Sequence, residues 1–364
     1  MRIEAAVWRE GSPIPVIESV ELEAPRPGEV LVRLVATGVC HTDIRFASRP
    51  GGPRPIVLGH EGAGVIEQVG DGIEGLEPGQ PVLMSYGFCG VCGPCRRHAQ
   101  AYCLDVVPMN FSGLRADGSS PLSQGGAQIH GAFFGQSSFA THSICAARSV
   151  VKAPADIPLA TLAPLGCGVQ TGAGAIINSL NVVAGQSVAV FGAGSVGLSA
   201  VMAAKVMGAG PIIAVDINPG RLSLALELGA TDAIDASALD PVAEIMARTD
   251  HGADVVLNTT DIPAVYQQGI AALGPQGTFG FVTTPSGPVA LDLRSIFLGG
   301  RRIQGILQGD SDPPVFIPKL IELYREGRFP LERLIQTYPF ERIAEAIHDS
   351  EAGRAVKPVV VMAT

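Results

Sequence analysis

Four cysteines crowd one glycine-rich segment, Cys89-x2-Cys92-x2-Cys95-x7-Cys103. Thiolates this close along the chain wrap one tetrahedral zinc and leave no coordination position open, so the predicted role is structural. A redox dithiol would need only two of them. A second set, Cys40, His60 and Cys167, is scattered. Taken singly each reads as a core residue, but the surroundings differ from a core. Cys40-His-Thr-Asp43 follows a strand-like run, Gly59-His-Glu-Gly-Ala-Gly64 sets imidazole and carboxylate among glycines, and Gly166-Cys-Gly168 frees a thiol to reach inward. Two thiolates and one imidazole leave the fourth position of a zinc for water or substrate, the donor set of a catalytic site. Cys145 is left over and reads as buried filler. An odd total of seven cysteines, three at C-x2-C-x2-C spacing, fits metal in a reducing compartment better than disulfides.

A third constellation is Gly192-x-Gly194-x-x-Gly197 between the apolar run Val188-Ala-Val-Phe191 and an alanine-rich helical stretch. Gly192 allows a tight turn, Gly194 lets a pyrophosphate approach the backbone, and Gly197 lets helix pack on strand; Ser195 and Val196 open the helix at its positive end. In a chain of 45 glycines the spacing alone is weak. A second run, Pro211-Ile-Ile-Ala-Val-Asp216, ends in an acid 19 positions beyond Gly197, where ribose hydroxyls are held. Asp216 repels a 2′-phosphate, and Ile217 and Asn218 offer no cation for one, so NAD is favoured over NADP. Arg221 is the nearest cation, either along the adenosine ribose or on a solvated helix face.

The elements that must carry these residues fall into two textures. The first ~150 residues are short strands and turns: Val30 to Ala36, Gly64 to Val69 and Gln80 to Met84 read as strands of an irregular β-barrel. From about Leu162 strands and helices alternate, with strands at Ser187 to Phe191, Pro211 to Asp216, Ala253 to Leu257 and Gly277 to Val282, the βαβ pattern of a doubly wound parallel sheet. After about Gln304 come an amphipathic segment, Phe316 to Arg325, then Phe340 to Ile347 and a closing strand, Lys357 to Val361. The expected domains are 1–160 completed by 305–364, and 161–304. A net charge of −9 gives nucleic acid or anionic lipid no attraction. Ile157 to Ala204 carries no charge, but Gln170, Asn178, Asn181, Gln186 and many glycines interrupt it, so it reads as buried core and not as a membrane span. With an N-terminus too charged for a signal peptide, a cytoplasmic protein is expected.

These residues resemble the zinc-dependent medium-chain alcohol dehydrogenases over essentially the full length. Gly59-His-Glu-x2-Gly64-x5-Gly70-x2-Ile73 matches that family's zinc signature, and the four-cysteine lobe and the Gly192 turn stand in its order. Cys40-His-Thr-Asp43, Gly131-Ala-Phe-Phe-Gly-Gln-Ser-Ser-Phe-Ala140 and Pro164-Leu-Gly-Cys-Gly-Val-Gln-Thr-Gly-Ala-Gly174 look most like its aryl-alcohol branch. The resemblance implies a chaperonin-10-like (GroES-like) catalytic barrel joined to a Rossmann domain, with the site in the cleft. It implies two zincs per chain and NAD, with catalytic zinc on Cys40, His60 and Cys167 and structural zinc on Cys89, Cys92, Cys95 and Cys103. Glu61 would be a nearby carboxylate or transient ligand, Asp43 would orient His60, and Thr42 would take the alcohol proton. Thr171 would pack by the nicotinamide, and His41 and Lys357 would be cations near the pyrophosphate.

The activity implied is oxidation of a primary alcohol, aromatic or allylic, to its aldehyde, and the reverse. Met109, Phe111, Phe133, Phe134 and Phe139 are candidates for an apolar pocket. A glutathione-dependent formaldehyde dehydrogenase would share both zincs but should offer cations for an anionic thiol adduct, and terpenoid or aliphatic alcohols remain open. A zinc-free quinone reductase would not need these cysteines, and a non-enzymatic role would not need an open Cys2His set. A homodimer by edge-to-edge pairing of Rossmann sheets, or a tetramer, is implied. In many relatives a histidine five positions after the first zinc cysteine ends a proton relay; here that position is Arg45, which cannot accept a proton.

Overall fold

Strand Glu29–Gly38 is the hub of the first half of the chain, because it carries partners on both edges. On one edge it pairs antiparallel with Gly62–Val69, which continues the sheet to Pro81–Met84 and Val150–Lys152. On the other edge its first half pairs with His142–Ala146 and its last residues with the tail strand Lys357–Val361, itself parallel to Ile335–Pro339. A second antiparallel sheet runs Ile56–Val57, Arg2–Trp8, Val16–Leu22, Leu122–Gln124, Ala127–Ile129. The computed structural model describes residues 1–363.

By internal packing the chain divides into two units. The first ends at Cys167, not at residue 160, and takes back Asp312–Ile321 and the chain from Leu331 onward. The second spans Gly168–Ser311 with Glu322–Pro330, so it starts and ends later than the expected 161–304. The practical consequence is that Cys40, His60 and Cys167 belong to one unit.

The second unit is a six-stranded, wholly parallel sheet. Counted along the chain, its strands Val188–Phe191, Ile212–Asp216, Asp232–Asp235, Ala253–Asn258, Leu273–Phe281 and Arg302–Gly305 lie in the order 3-2-1-4-5-6. That is the Rossmann order, whose switch point lies between Val188–Phe191 and Ala253–Asn258, where dinucleotides sit at the carboxyl ends of the strands. Val188–Phe191 is buried along its whole length, as a central parallel strand must be. Helix Ser195–Val206 follows it directly. Helix Pro219–Leu228 follows the second strand, capped by Asn218, whose side chain accepts from the amides of Gly220 and Arg221. Among the described residues no single helix is long and apolar enough to cross a membrane.

Candidate active site

Cys40 ends the run out of Glu29–Gly38 and stands just before helix His41–Ala47. His60 precedes strand Gly62–Val69, and Cys167 closes a short turn after Ala163–Gly166. Three distant segments thus deliver two sulfurs and one imidazole whose ligand atoms all lie within 4.8 Å of one another. His60 is fully buried, and its Nδ1 is bonded to Asp43 Oδ1 at 2.8 Å. Its Nε2 is buried with no hydrogen-bond partner. A buried imidazole nitrogen without a partner is costly unless a cation meets it, and sulfur, sulfur and nitrogen are the donors zinc prefers. The residues fit a zinc with one position open.

The charges agree. The hydrogen bond between Cys167 and Cys40, with His60 alongside, holds Cys40 well below the usual thiol range; the same bond, with burial, holds Cys167 well above it. Burial would lower His60, but the charges on Asp43 and Cys40 outweigh it and raise it well above the ordinary value. The pocket therefore concentrates negative charge around one imidazole, which is what a divalent cation balances.

The four-cysteine lobe is also assembled. Its sulfurs lie within 4.8 Å of one another, with Cys89 to Cys95 and Cys92 to Cys103 both at 3.9 Å. Sulfurs about 2.3 Å from a tetrahedral zinc sit about 3.8 Å apart, so the fit is close. The amides of Cys89 and Cys92 donate to the sulfurs of Cys103 and Cys89, each at 3.3 Å, as they do to thiolates. Backbone amides hold Cys92 down to about 6, whereas burial pushes Cys95 up to about 12.

In the second unit the three glycines meet three different demands. Gly192 has φ of +91°, a Cβ at Gly194 would meet nothing within 4 Å, and a Cβ at Gly197 would lie 1.8 Å from the Gly192 carbonyl oxygen. Turn, open approach and close packing are thus separate. Asp216 Oδ2 accepts from the Ala193 amide at 2.6 Å, and Oδ1 accepts from the amides of Ile217 and Asn218 at 2.8 and 2.9 Å. A carboxylate offers about four acceptor sites, so one remains for a ribose hydroxyl. Ser195 and Val196 are half-buried in the first turn of the helix, and Arg221, half-buried, keeps a buried Nε with no partner. Thr171 is buried in helix Gly168–Gly174.

Residues 195–325 match the family model of zinc-binding dehydrogenases, and residues 26–155 that of the alcohol dehydrogenase GroES-like domain. The chain is 45% identical to a geraniol dehydrogenase of Castellaniella defragrans, over 98% of this chain and 97% of that one. It belongs to the zinc-dependent medium-chain alcohol dehydrogenases. An alcohol dehydrogenase zinc-binding domain protein from Burkholderia ambifaria superposes with a TM-score of 0.97 at 48% identity, covering 100% of both chains. The benzyl alcohol dehydrogenase of Acinetobacter calcoaceticus superposes with a TM-score of 0.96 at 42% identity, again covering 100% of both. The dehydrogenase thus pairs a GroES-like unit with a Rossmann unit, and zinc and a nicotinamide cofactor belong to its chemistry.

Other expected residues of this dehydrogenase fall in varied places. Thr42 is half-buried in the first turn of helix His41–Ala47, two residues after Cys40, while His41 and Arg45 are exposed on that helix. Lys357 is not a free cation for a pyrophosphate. It is buried, with Nζ 3.0 Å from each carboxylate oxygen of Glu61 and 3.1 Å from the Val39 carbonyl, which uses all three of its hydrogens. Burial would lower its pKa, but the Glu61 charge outweighs that and raises it. A lone lysine opening an otherwise apolar strand was the available signal, since such a charge must find a partner. Of the pocket candidates, Phe133 and Phe139 are wholly buried core. Phe134 instead stacks on the His60 ring, with centroids 4.3 Å apart, and Phe111 meets Phe134 edge-on at 5.1 Å.

Proposed function

We propose that this dehydrogenase uses NAD to oxidise primary alcohols whose carbinol carbon is attached to an sp² carbon, benzylic or allylic, to the aldehyde. The observation that carries the reading is the three-donor cluster with its unpartnered His60 Nε2, on whose ring Phe134 stacks. Geraniol and benzyl alcohol, named for two relatives, share that kind of carbinol. Zinc on Cys40, His60 and Cys167 supplies a Lewis acid for the hydroxyl, and NAD supplies the hydride acceptor. The chain's own residues do the rest. Asp43 keeps the proton of His60 on Nδ1 and leaves Nε2 to face the metal. Thr42 Oγ1 accepts the substrate's hydroxyl proton as it passes its own on to water, because a neutral hydroxyl relays a proton and does not keep one. A second zinc on Cys89, Cys92, Cys95 and Cys103 stabilises its lobe, and Asp216 selects NAD.

Edge strand Arg302–Gly305 and helix Leu293–Gly299, with Leu293, Phe297 and Leu298 at 71%, 82% and 69% exposure, support pairing with a second copy. The test of the activity is kcat/KM for benzyl alcohol, geraniol and ethanol with NAD and NADP, alongside metal content. Two zincs per chain, with both unsaturated alcohols far ahead of ethanol, are expected. No zinc, or ethanol preferred, overturns the reading.

A further inference from the structure

Three metal donors carried by three distant segments need braces between them, because a displacement of about 1 Å is enough to spoil such a site. One brace is plain. Asp43 Oδ2 accepts from the Cys40 amide at 3.0 Å, while Oδ1 accepts from the Gly59 amide at 3.0 Å and meets His60 Nδ1. One carboxylate thus ties the Cys40 edge to the His60 edge. Cys167 comes from a third segment, after Ala163–Gly166, and meets Cys40 through its sulfur.

A second brace covers that edge. Gln136 is 1% exposed and both ends of its side-chain amide are engaged: Oε1 accepts from the Gly62 amide at 3.0 Å, and Nε2 donates to the carbonyls of His60 and Ser85 at 3.0 and 3.2 Å. Ser85, equally buried, passes the link on by donating its hydroxyl to the Gly166 carbonyl at 2.9 Å, one residue before Cys167. Small residues make the approach feasible. A Cβ on Gly62 would sit 3.0 Å from Gln136 Oε1, and one on Gly166 would sit 2.4 Å from the Met84 carbonyl oxygen. The loop bearing Gln136 is itself anchored, by the Ser138 and Phe139 amides to the carbonyls of Gly59 and Leu58, both at 2.9 Å.

We infer that Gln136 and Ser85 are positioning residues that set the spacing between the His60 and Cys167 ligands, as Asp43 does between Cys40 and His60. This rests on the reading of Cys40, His60 and Cys167 as a zinc site. Ser85→Ala deletes the hydroxyl that reaches Gly166, Ser85→Thr keeps a hydroxyl, and Gln136→Met keeps length without any hydrogen bond. The zinc-loaded enzyme is mixed with excess chelator and release is followed from both metals. A cobalt-exchanged sample reports the ligand field of the three-donor site.

Partners beyond the ligands are worth on the order of 10- to 100-fold in metal affinity. Release from the three-donor site should therefore quicken by about that factor in Ser85→Ala and Gln136→Met, with shifted cobalt bands. Release from the four-cysteine site should not change, kcat should fall without a rise in KM for NAD, and Ser85→Thr should behave as the parent. Parental release and parental cobalt bands in folded Ser85→Ala overturn the inference. Equal acceleration at both metals also overturns it, because that is general loosening. A parent enzyme that holds only the four-cysteine metal removes the zinc-site reading, and the inference with it.

Discussion

Lys357→Met isolates what a buried charge pair does beside the cluster of Cys40, His60 and Cys167. Lys357 and Glu61 side chains are 3% and 0% exposed, so solvent screens neither. Removing the ammonium takes from the Glu61 carboxylate two contacts at 3.0 Å and the charge that balances it. Breaking a buried pair from one side costs about 3–5 kcal/mol, whereas replacing both partners is often near neutral. For a unit of this size about 2–4 °C is lost per kcal/mol, so the variant should melt on the order of 10 °C below the parent. Lys357→Met with Glu61→Gln should recover most of that. The pH dependence follows from the directions. A lysine raised in the folded state contributes fully below its unfolded value of about 10.4 and loses that only as pH rises through the folded value. The parent should therefore show no change from this pair between pH 6 and 9. In the single variant Glu61 would be raised, so protonation stabilises the fold and the deficit shrinks as pH falls. The assay is thermal and urea unfolding of the three proteins at several pH values. Parental melting of Lys357→Met near pH 8, or a double variant as unstable as the single, would refute the argument.

Asp216→Gly removes the bond to the Ala193 amide and the charge facing a 2′-phosphate. At about 1.5–3 kcal/mol for a charged hydrogen bond, NAD should bind roughly 10- to 100-fold more weakly while NADP gains, read from KM for each. Cys95→Ser should drop zinc by about one per chain and lower the melting temperature, since the closed site contributes folding energy. Cys167→Ser should abolish turnover with the fold kept, checked by circular dichroism. Arg45→His should add an ionisation near ~6.5 to the kcat profile, and profiles that superimpose on the parent would take position 45 out of the proton path.

The parallel sheet was legible because its strands are buried on both faces and so read as short unbroken apolar runs, Val188–Phe191 above all. The antiparallel strands Arg2–Trp8 and Val16–Leu22 were not among the strands read from sequence. Arg2 and Glu4 are exposed on the first, and Glu18 and Glu21 interrupt the second, so each shows polar residues where a solvated face permits them. The division between units also ran later than the change of texture suggested, because the helical turns after Leu159 stay with the barrel as far as Cys167. Composition marks where strands begin to alternate with helices, not where packing changes allegiance.

The same distinction separates the two layers of the site. Cysteine and histidine are uncommon, and glycines beside them announce close backbone approach, so the seven candidate metal donors stood out before any fold was known. Gln136, Ser85 and Lys357 are ordinary residues. What gives them a role is contact with partners 76, 81 and 296 positions away, and no local pattern encodes that. Lys357 shows how such a residue is misassigned: as a cation it suits a phosphate, yet burial obliges it to neutralise Glu61 and leaves no hydrogen over. Burial, once known, reverses the inference from charge, because an ammonium that would seek a ligand at the surface must already have its partner in the interior.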